Sequence, residues 1–281
     1  MSIAILINTT AGGGKWLKII PTIEKFLKEK EILYQLFFDD WCDCETINKQ
    51  SMVWVVGGDG TLNYFINKYP NLTVPIAIIK GGTGNDFAWK LYGNLSLEKQ
   101  LELLISNTLE LVDVGVCNNK YFLNGIGVGF DGEILKSMKK IRWLGGHFGY
   151  LFIVIQKIFT YKEMFYTLII DEFKIKDKFL LLSVFNSSRT GGGFHIAPTA
   201  IINDGLLDVI TCKPLNIIKR LINLPKIEKG KHLSLPFIKN HLAKSVFIKC
   251  ATKTAAQIDG ELFWADEFKI SIIEKKLKFL V

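Results

Sequence analysis

Residues 53–63 read Val53-Trp54-Val55-Val56-Gly57-Gly58-Asp59-Gly60-Thr61-Leu62-Asn63. The apolar, β-branched run predicts a buried strand, and the glycines after it predict a tight loop. Glycines let the backbone approach a ligand closely, and their N–H groups can point at phosphate oxygens. Asp59 lies in that loop, suited to a metal or a proton, and residues 61–66 can open a helix whose N-terminus favours an anion. The stretch therefore predicts a polyphosphate site; the plainer alternative is an ordinary strand–turn–helix corner.

Strand-like and helix-like patterns alternate on both sides of this loop, through the first 115 residues. The predicted strands are 4–7, 34–38, 52–56 and 74–79, and the predicted helices are 15–30, 62–68 and 97–106. Such alternation predicts a doubly wound, mostly parallel sheet, which binds ligands at the carboxyl ends of its strands. Three polar, glycine-rich segments follow strands there, at 8–15, 57–63 and 81–86, and we expect them to converge at one edge.

The pattern changes after residue 113 to a series of short strands separated by turns. The predicted strands are 114–117, 120–128, 165–170, 173–175, 179–186, 206–212, 245–250, 256–258 and 267–273. Many strands with turn residues between them predict an antiparallel sandwich or barrel. Helical spacing predicts one helix at about 149–160 and a second at 216–223.

The composition limits the class of protein. The chain has 281 residues, of which 49% are hydrophobic, enough for two cores. No apolar run approaches the ~18 residues of a membrane span. The five cysteines are scattered without a C-x-x-C pair, which argues against a zinc site or a disulfide framework. The N-terminus enters a strand at once, unlike a signal peptide, so we expect a cytoplasmic protein.

The formal charge of +8 is concentrated in one segment, residues 213–249. Its basic residues are Lys213, Lys219, Arg220, Lys226, Lys229, Lys231, Lys239, Lys244 and Lys249, against the single acid Glu228. Basic residues interleaved with apolar ones suit an anionic membrane surface, which predicts peripheral contact with the inner face of the membrane. Nucleic acid would also be attracted, but no base-reading motif supports that partner. A solvated basic face is the plainer alternative.

The loops at 8–15 and 81–86 add polar groups to the predicted phosphate site. The first is not a Walker A loop, because Lys15 is followed by Trp16 rather than Ser or Thr, although it can still supply N–H groups and a lysine. In the other loop, Thr83 can donate to a phosphate, and Asp86 could join Asp59 around Mg²⁺. The alternative for this loop is that Asn85 or Asp86 caps a helix at 87–92.

Two turns in the second half carry acids. Asn203-Asp204-Gly205 is a clear turn signal, and a turn acid with exposed neighbouring carbonyls can also bind a hard cation. Asp259-Gly260-Glu261 is a second turn, whose glutamate could act as a general base if it lay beside a phosphate site. The residues alone leave both turns open between a structural and a functional role.

Together the motifs resemble one family, and the resemblance runs nearly end to end. They are, in order, Asn8 with its glycine-rich loop, GGDGT at 57–61, GGTGNDFA at 81–88, GGGFHIAP at 191–198, NDGLLDV at 203–209 and DGE at 259–261. This set resembles the bacterial diacylglycerol kinase-like lipid kinases, whose catalytic region sphingosine and ceramide kinases share. The resemblance implies a nucleotide domain similar to phosphofructokinases and NAD kinases, over 1–115 with about 270–281. It also implies a C-terminal β-sandwich over 116–269, on the lipid-acceptor side.

The implied activity is ATP- and Mg²⁺-dependent transfer of the γ-phosphate to a lipid hydroxyl, with diacylglycerol giving phosphatidic acid as the first choice. By position, the implied ATP contacts are Asn8, Gly57, Gly58, Asp59, Gly60, Thr61, Asn63 and Thr83. The implied catalytic acids are Asp59, Asp86 and Glu261, with Glu261 as the general base. Asp204, with the backbone carbonyls of Ile201 and Leu206, matches a second, structural Mg²⁺ site of the family.

Two positions depart from the family pattern, and two other functions stay open. Tyr64 stands where the family usually has glutamate, and Phe38 where it often has threonine, which concerns the adenine or ribose contacts. An NAD kinase-like enzyme would share GGDGT, but the segments at 191–198 and 203–209 favour a lipid kinase. A catalytically silent nucleotide- or lipid-binding regulator is disfavoured by the retained acids. The acceptor lipid and a homodimeric state are left open.

Overall fold

The computed structural model describes residues 1–106, 108–140 and 146–281. The chain divides into two units, which are described separately below. The first unit comprises Met1–Val112 and Lys275–Val281, and the second comprises Asp113–Glu274. Among the described residues, no helix combines the length and the apolar character needed to cross a bilayer.

The chain alternates strands and helices at first and is strand-rich later. The strands are β1 (Ser2–Ile7), β2 (Leu33–Phe38), β3 (Met52–Gly57), β4 (Ile76–Lys80), β5 (Leu109–Cys117), β6 (Lys120–Phe122), β7 (Gly125–Val128), β8 (Met164–Ile170), β9 (Phe173–Phe179), β10 (Leu181–Phe185), β11 (Leu207–Cys212), β12 (Ile238–Ala243), β13 (Ser245–Ile258) and β14 (Glu261–Leu280). The helices are α1 (Trp16–Glu29), α2 (Cys44–Asn48), α3 (Asp59–Lys68), α4 (Asp86–Tyr92), α5 (Leu97–Ile105), α6 (Phe130–Lys140), α7 (Gly146–Thr160) and α8 (Ile217–Glu228).

The first unit is built on a parallel sheet in the order β2-β1-β3-β4, and the end of β14 joins it beside β4. This confirms the predicted doubly wound α/β fold. The central strands are apolar along their whole length because both faces of a parallel sheet are covered, and β3 is buried at every residue. The chain leaves β1 towards β2 and leaves β3 towards β4, so the strand order reverses between β1 and β3. Such a switch point is where open α/β sheets bind ligands.

Two elements of the first unit differ from the sequence prediction. Helix α3 begins at Asp59 rather than at residue 62, because the GGDG loop is tighter than its glycines suggested. Helix α2 was not predicted, since five residues are too few to show a helical period. The side chain of Asp43 caps it by accepting a hydrogen bond from the N–H of Thr46 at 2.7 Å.

The second unit is antiparallel, in the order β12-β11-β10-β7-β13-β14. The β8–β9 hairpin adds to β13, and β6 pairs with β5. Its core is formed by fully buried side chains from several strands, including Phe122, Ile126, Leu168, Val184 and Phe268. This arrangement confirms the predicted antiparallel sandwich.

Several boundaries in the second unit were predicted wrongly. The predicted strand at 120–128 is two strands, β6 and β7, and the predicted strands at 245–250 and 256–258 are one, β13, with a register shift between Lys249 and Thr254. The strand predicted at 267–273 is the middle of the 20-residue β14, and β12 was missed. One helix was predicted before β8, but α6 and α7 both occupy that stretch, and α8 runs to Glu228. Helix α6 was hidden by Asp131-Gly132, which has the composition of a turn.

Candidate functional site

The three glycine-rich segments, which we call the glycine loops, follow β1, β3 and β4 and meet at one edge of the sheet. A Cβ atom on Gly12 would lie 2.0 Å from the carbonyl oxygen of Gly81, and one on Gly82 would lie 2.4 Å from the Cα of Gly58. Contacts this short exist only between backbones without side chains, so glycine is required there. Gly12 also has a φ of +59°, which other residues rarely adopt. The predicted convergence of the glycine loops is confirmed.

Polar side chains connect the loops to one another. The Asn8 amide donates to the Thr61 hydroxyl at 3.0 Å, and its own oxygen accepts the N–H of Thr10 at 3.0 Å. The Lys15 ammonium donates to the carbonyl of Gly82 at 2.9 Å. Asn8 and Lys15 therefore hold the first loop against the other two, beside the N-terminus of α3, whose backbone N–H groups favour an anion.

Asp59 joins the second glycine loop to the helix after the third. Its carboxylate accepts the N–H of Asp86 at 3.0 Å and the N–H of Phe87 at 2.9 Å, so it caps α4. Asn85 occupies the N-cap position of α4, but the alternative that its side chain caps the helix is wrong, because that side chain bonds to the backbone of Gly82 at 2.9 and 3.0 Å. The hydrogen bond from the N–H of Asp86 places the backbone of Asp86 beside the Asp59 carboxylate, and Asp86 is only 4% exposed; a shared Mg²⁺ stays a prediction.

The remaining predicted ATP contacts lie on the same loops. Thr83 is exposed in the third loop, and Asn63 is half-buried on α3. Gly57 is the last residue of β3, Gly58 caps the N-terminus of α3, and Gly60 is the second residue of α3. All eight predicted residues thus lie in the three glycine loops. Their assignment to ATP stays a prediction.

Both positions that depart from the family pattern carry exposed aromatic rings. Phe38 ends β2 and meets Trp16 edge-on, with ring centroids 5.7 Å apart. Tyr64 lies on α3 against Trp41, with centroids 5.6 Å apart. The two departing residues thus each form an aromatic pair in the first unit.

Asp39 was missed by the sequence analysis. Its carboxylate accepts the N–H of Thr9 at 2.8 Å and the Thr9 hydroxyl at 2.6 Å, and these bonds lower the pKa of Asp39. Asp39 follows the last residue of β2, so it fastens the first glycine loop to the neighbouring strand end. The available signal was an acid immediately after a predicted strand.

In the second unit, Glu261 is exposed at the first residue of β14, after a turn in which Asp259 and Gly260 both have positive φ. Asp259 is 5% exposed, and its carboxylate accepts three backbone N–H groups, from Leu123 at 2.7 Å and from Asn124 and Gly125 at 2.9 Å. Asp259 therefore fixes the turn that presents Glu261, an anchoring role that the sequence did not reveal. An exposed carboxylate on a fixed turn is suited to accepting a proton.

Asp113 holds the Asp204 turn through two hydrogen bonds. The Asp113 carboxylate accepts the N–H of Gly205 at 2.7 Å, and its own N–H donates to the carbonyl of Ile202 at 2.7 Å. Asp204 is exposed and its Oδ1 accepts the N–H of Leu206 at 3.0 Å, while no residue in the described ranges donates to its Oδ2. That oxygen and the backbone carbonyls of Ile201 and Leu206 are hard donors of the kind Mg²⁺ takes.

No group of three or more His, Cys, Asp or Glu side chains in the described part of the chain is arranged to hold a metal ion. The predicted metal set has one carboxylate and two backbone carbonyls, so it is not a group of that kind. It stays a prediction.

The second unit also contains an apolar cavity that the sequence did not predict. Its volume is about 60 Å³, and its walls, to which α6, α7 and α8 contribute, include Phe130, Ile134, Val154, Leu181, Phe194 and Leu224. One acid, Asp131, reaches this cavity. Burial raises the pKa of Asp131 to about 6, although the hydrogen bond from the Ser183 hydroxyl, at 3.0 Å, opposes the shift.

The structure divides the basic segment 213–249 into paired and unpaired cations. Three are in ion pairs: Arg220 with Glu163 at 2.6 Å, Lys244 with Glu274 at 2.8 Å and Lys249 with Glu267 at 2.7 Å. The other six are exposed, and none of them meets a carboxylate within the described ranges: Lys213, Lys219, Lys226, Lys229, Lys231 and Lys239. The positive charge is thus largely free to act on a partner.

Comparisons with known proteins cover both units. Residues 2–117 match the diacylglycerol kinase catalytic domain, and residues 124–280 match the YegS C-terminal NAD kinase beta sandwich-like domain. A diacylglycerol kinase of Mycobacterium tuberculosis is 28% identical over 206 residues, which are 70% of this chain and 66% of that protein. A Pseudomonas savastanoi protein named "Probable lipid kinase YegS-like" is 31% identical over 212 residues, 73% of this chain and 67% of the relative. A crystal structure of a diacylglycerol kinase from Bacillus anthracis superposes with a TM-score of 0.75 at 20% identity, over 99% of this chain and 96% of that one.

Proposed function

Because this chain belongs to the diacylglycerol kinase-like lipid kinases, we propose that it transfers the γ-phosphate of ATP to a lipid hydroxyl in an Mg²⁺-dependent reaction. We propose diacylglycerol as the acceptor and phosphatidic acid as the product. The observation that carries the proposal is the meeting of three glycine loops at the switch point of a parallel sheet. The diacylglycerol kinase name of the Mycobacterium relative supports the choice of acceptor.

In the proposed reaction, the first unit holds the triphosphate. The contacts are assigned to Asn8, Gly57, Gly58, Asp59, Gly60, Thr61, Asn63 and Thr83. Backbone N–H groups at the α3 N-terminus would face phosphate oxygens, and Mg²⁺, when bound, would offset the charge on those oxygens. Asp59 and Asp86 are the proposed acids of this unit, and Asp59 also keeps the second and third loops in register through its two bonds to α4.

Glu261 is the proposed general base, which takes the proton of the lipid hydroxyl. Its support is an exposed carboxylate on a turn that Asp259 fixes with three hydrogen bonds. Phosphoryl transfer depends mainly on positioning and electrostatics, so a base on a rigid turn is more useful than one on a mobile loop.

The second unit is the proposed acceptor side. The walls of its apolar cavity are suited to a hydrocarbon chain, since ligand pockets are lined mainly by apolar side chains. The six unpaired lysines of the basic segment support contact with an anionic membrane surface. Vesicle binding should weaken as the salt concentration is raised, because salt screens exposed charges. Binding that does not depend on the salt concentration would contradict this electrostatic contact.

The test of the function is a phosphotransfer assay with γ-labelled ATP and Mg²⁺. Vesicles carry diacylglycerol, monoacylglycerol, a sphingoid base or an isoprenoid alcohol, and a parallel reaction contains NAD. Label in diacylglycerol is the expected result, and label in another lipid alone would change the acceptor. Label in NAD alone would make the chain a nucleotide kinase, and ATP binding without any transfer would favour a regulator.

The test of the base is Glu261→Gln. We expect kcat to fall by at least ~100-fold while the Kd for ATP stays unchanged, because a general base contributes about 10²–10⁴-fold. Glu267→Gln, on the same strand, is the matched control and should keep the wild-type rate. A Glu261→Gln enzyme with the wild-type rate would remove Glu261 from the mechanism.

A further inference from the structure

Helices α7 and α8 pack against each other and carry apolar side chains on two faces. One face lines the cavity, with Val154 and Ile158 from α7 and Leu224 and Ile227 from α8. The other face is open to solvent. Its large apolar side chains are Phe152, Ile155 and Phe159 of α7, exposed by 55, 38 and 56%, and Ile218, Leu221 and Ile222 of α8, exposed by 68, 37 and 64%.

This outer face, which we call the α7–α8 ridge, has the spacing of one continuous stripe on each helix. On α7, residue 155 follows 152 by three positions and 159 follows 155 by four; on α8, residues 221 and 222 follow 218 by three and four positions. A surface helix normally buries its apolar stripe and presents polar residues outwards. Two adjacent helices that expose such stripes indicate a surface with an apolar partner.

The helix pair is fixed by Arg220. Its guanidinium donates to the carbonyls of Ile158 at 2.9 Å and Tyr161 at 3.1 Å, and it pairs with Glu163 at 2.6 Å. These bonds join the first turn of α8 to the end of α7, and the Arg220 side chain is only 8% exposed. The ridge is therefore a preformed surface, which reduces the ordering cost of binding.

The charges around the ridge select the partner. Helix α7 contains no acidic residue, and the only acid of α8 is Glu228, its last residue. Exposed lysines without a carboxylate partner in the described ranges flank the apolar residues, at Lys219 and Lys226 on α8 and at Lys213 and Lys229 beside its ends. An apolar stripe bordered by lysines is the pattern of helices that lie in the headgroup region of an anionic bilayer.

We infer that the α7–α8 ridge inserts into the surface of an anionic lipid bilayer, with its six apolar side chains at the acyl boundary and the flanking lysines at lipid phosphates. This inference rests on the proposed function, because it names the surface from which the lipid acceptor is drawn. The same two helices line the apolar cavity. In this arrangement, only the layer formed by α7 and α8 would separate the bilayer from the cavity.

The test is co-sedimentation of the full chain with phosphatidylcholine vesicles, with and without phosphatidylglycerol. The double variant Phe159→Ser with Ile222→Ser should reduce the partition coefficient on anionic vesicles by at least ~10-fold, since both side chains lose apolar burial. The matched control is Phe173→Ser with Leu242→Ser, which removes two side chains of similar exposure, 63 and 55%, from β9 and β12. It should bind as the wild type does.

The charges are tested separately with Lys219→Gln combined with Lys226→Gln. This variant should lower binding several-fold at low salt and leave it unchanged at high salt, because salt already screens those charges. The ridge variant should lower binding at both salt concentrations. The melting temperatures of all variants should match that of the wild type, which shows that reduced binding does not result from unfolding.

Three results would overturn the inference: a ridge variant that binds like the wild type, a wild type that binds no anionic vesicle, and a wild-type dimer that the ridge variant abolishes. The last would assign the ridge to a second copy of the chain, and sedimentation velocity detects it. Kinase activity on short-chain diacylglycerol dispersed in micelles is measured in parallel and should be the same in the ridge variant. If the variants bind vesicles as expected but the wild type phosphorylates no lipid, the inference about the ridge stands and the proposed kinase function is rejected.

Discussion

The glycine loops of the first unit and the acid-anchored turns of the second are built in opposite ways. The loops approach one another through bare backbone, with contacts that no side chain could enter. The turns are held by buried carboxylates, Asp259 on residues 123–125 and Asp113 on Gly205. The close packing of the loops depends on glycines, which have no side chain. The anchoring of the turns depends on single carboxylates whose partners are distant in sequence. The two regions should therefore respond differently to mutation.

The largest effect is expected at Gly12. Gly12→Ala places a methyl group 2.0 Å from the Gly81 oxygen at a φ of +59°, so the first and third loops must separate. We expect a loss of about 4 kcal/mol in the free energy of unfolding, from overpacking and backbone strain together. ATP binding, measured by calorimetry, should fall below detection.

Gly13→Ala is the matched control, because Gly13 has a similar φ of +67° but nothing within 4 Å of its would-be Cβ. It carries only the backbone strain, about 1–2 kcal/mol, and should still bind ATP. Equal behaviour of the two variants would show that conformation alone, and not the close approach of the loops, requires glycine in the first loop.

This contrast explains what the sequence could predict. The parallel sheet, the glycine loops and their meeting point follow from local patterns, since strand–helix alternation already determines that strand ends share an edge. The role of Asp259 does not, because its partner Leu123 is 136 residues away and the DGE turn gives no hint of it. The apolar cavity depends on α6, α7 and α8 meeting the sheet, and the sequence indicated only two of these three helices.

The next effect in size is expected from Asp259→Asn. The amide keeps one acceptor oxygen but turns an NH₂ group towards backbone N–H donors, so at least one of three buried bonds is lost. We expect a loss of about 3 kcal/mol in unfolding free energy, as for a buried bond to a charged group, measured by urea denaturation. Glu261→Gln, two residues on, should leave stability unchanged. Equal losses would contradict the division between an anchor and an exposed base.

A smaller, pH-dependent effect is expected at Asp131. Its pKa in the folded protein, about 6, lies above that of the unfolded chain, so the folded state binds the proton more tightly. The group contributes its full stability below about pH 4 and loses it as pH rises through about 6. Asp131→Asn should therefore match the wild type at about pH 4 and exceed it by about 2 kcal/mol at pH 7.5.

Ser183→Ala provides the control for Asp131, because it removes the hydrogen bond that favours the ionised carboxylate. The loss of stability between pH 4 and pH 7.5 should then become steeper than in the wild type. A stability difference between Asp131→Asn and the wild type that does not change with pH would show that burial does not raise the pKa of Asp131.

The smallest effect is expected at the Asp204 turn. The measurement decides whether this turn binds Mg²⁺ or has a structural role alone. If Asp204 with the carbonyls of Ile201 and Leu206 binds Mg²⁺, the ion should stabilise the wild type by about 1 kcal/mol at about five times its Kd, without ATP present. Asp204→Asn should abolish this increment. Asp171→Asn, in another turn whose carboxylate accepts backbone N–H groups from Lys244 and Ser245, should lower stability with and without Mg²⁺. A wild type that Mg²⁺ does not stabilise would leave Asp204 as a residue of a turn that Asp113 holds through the N–H of Gly205.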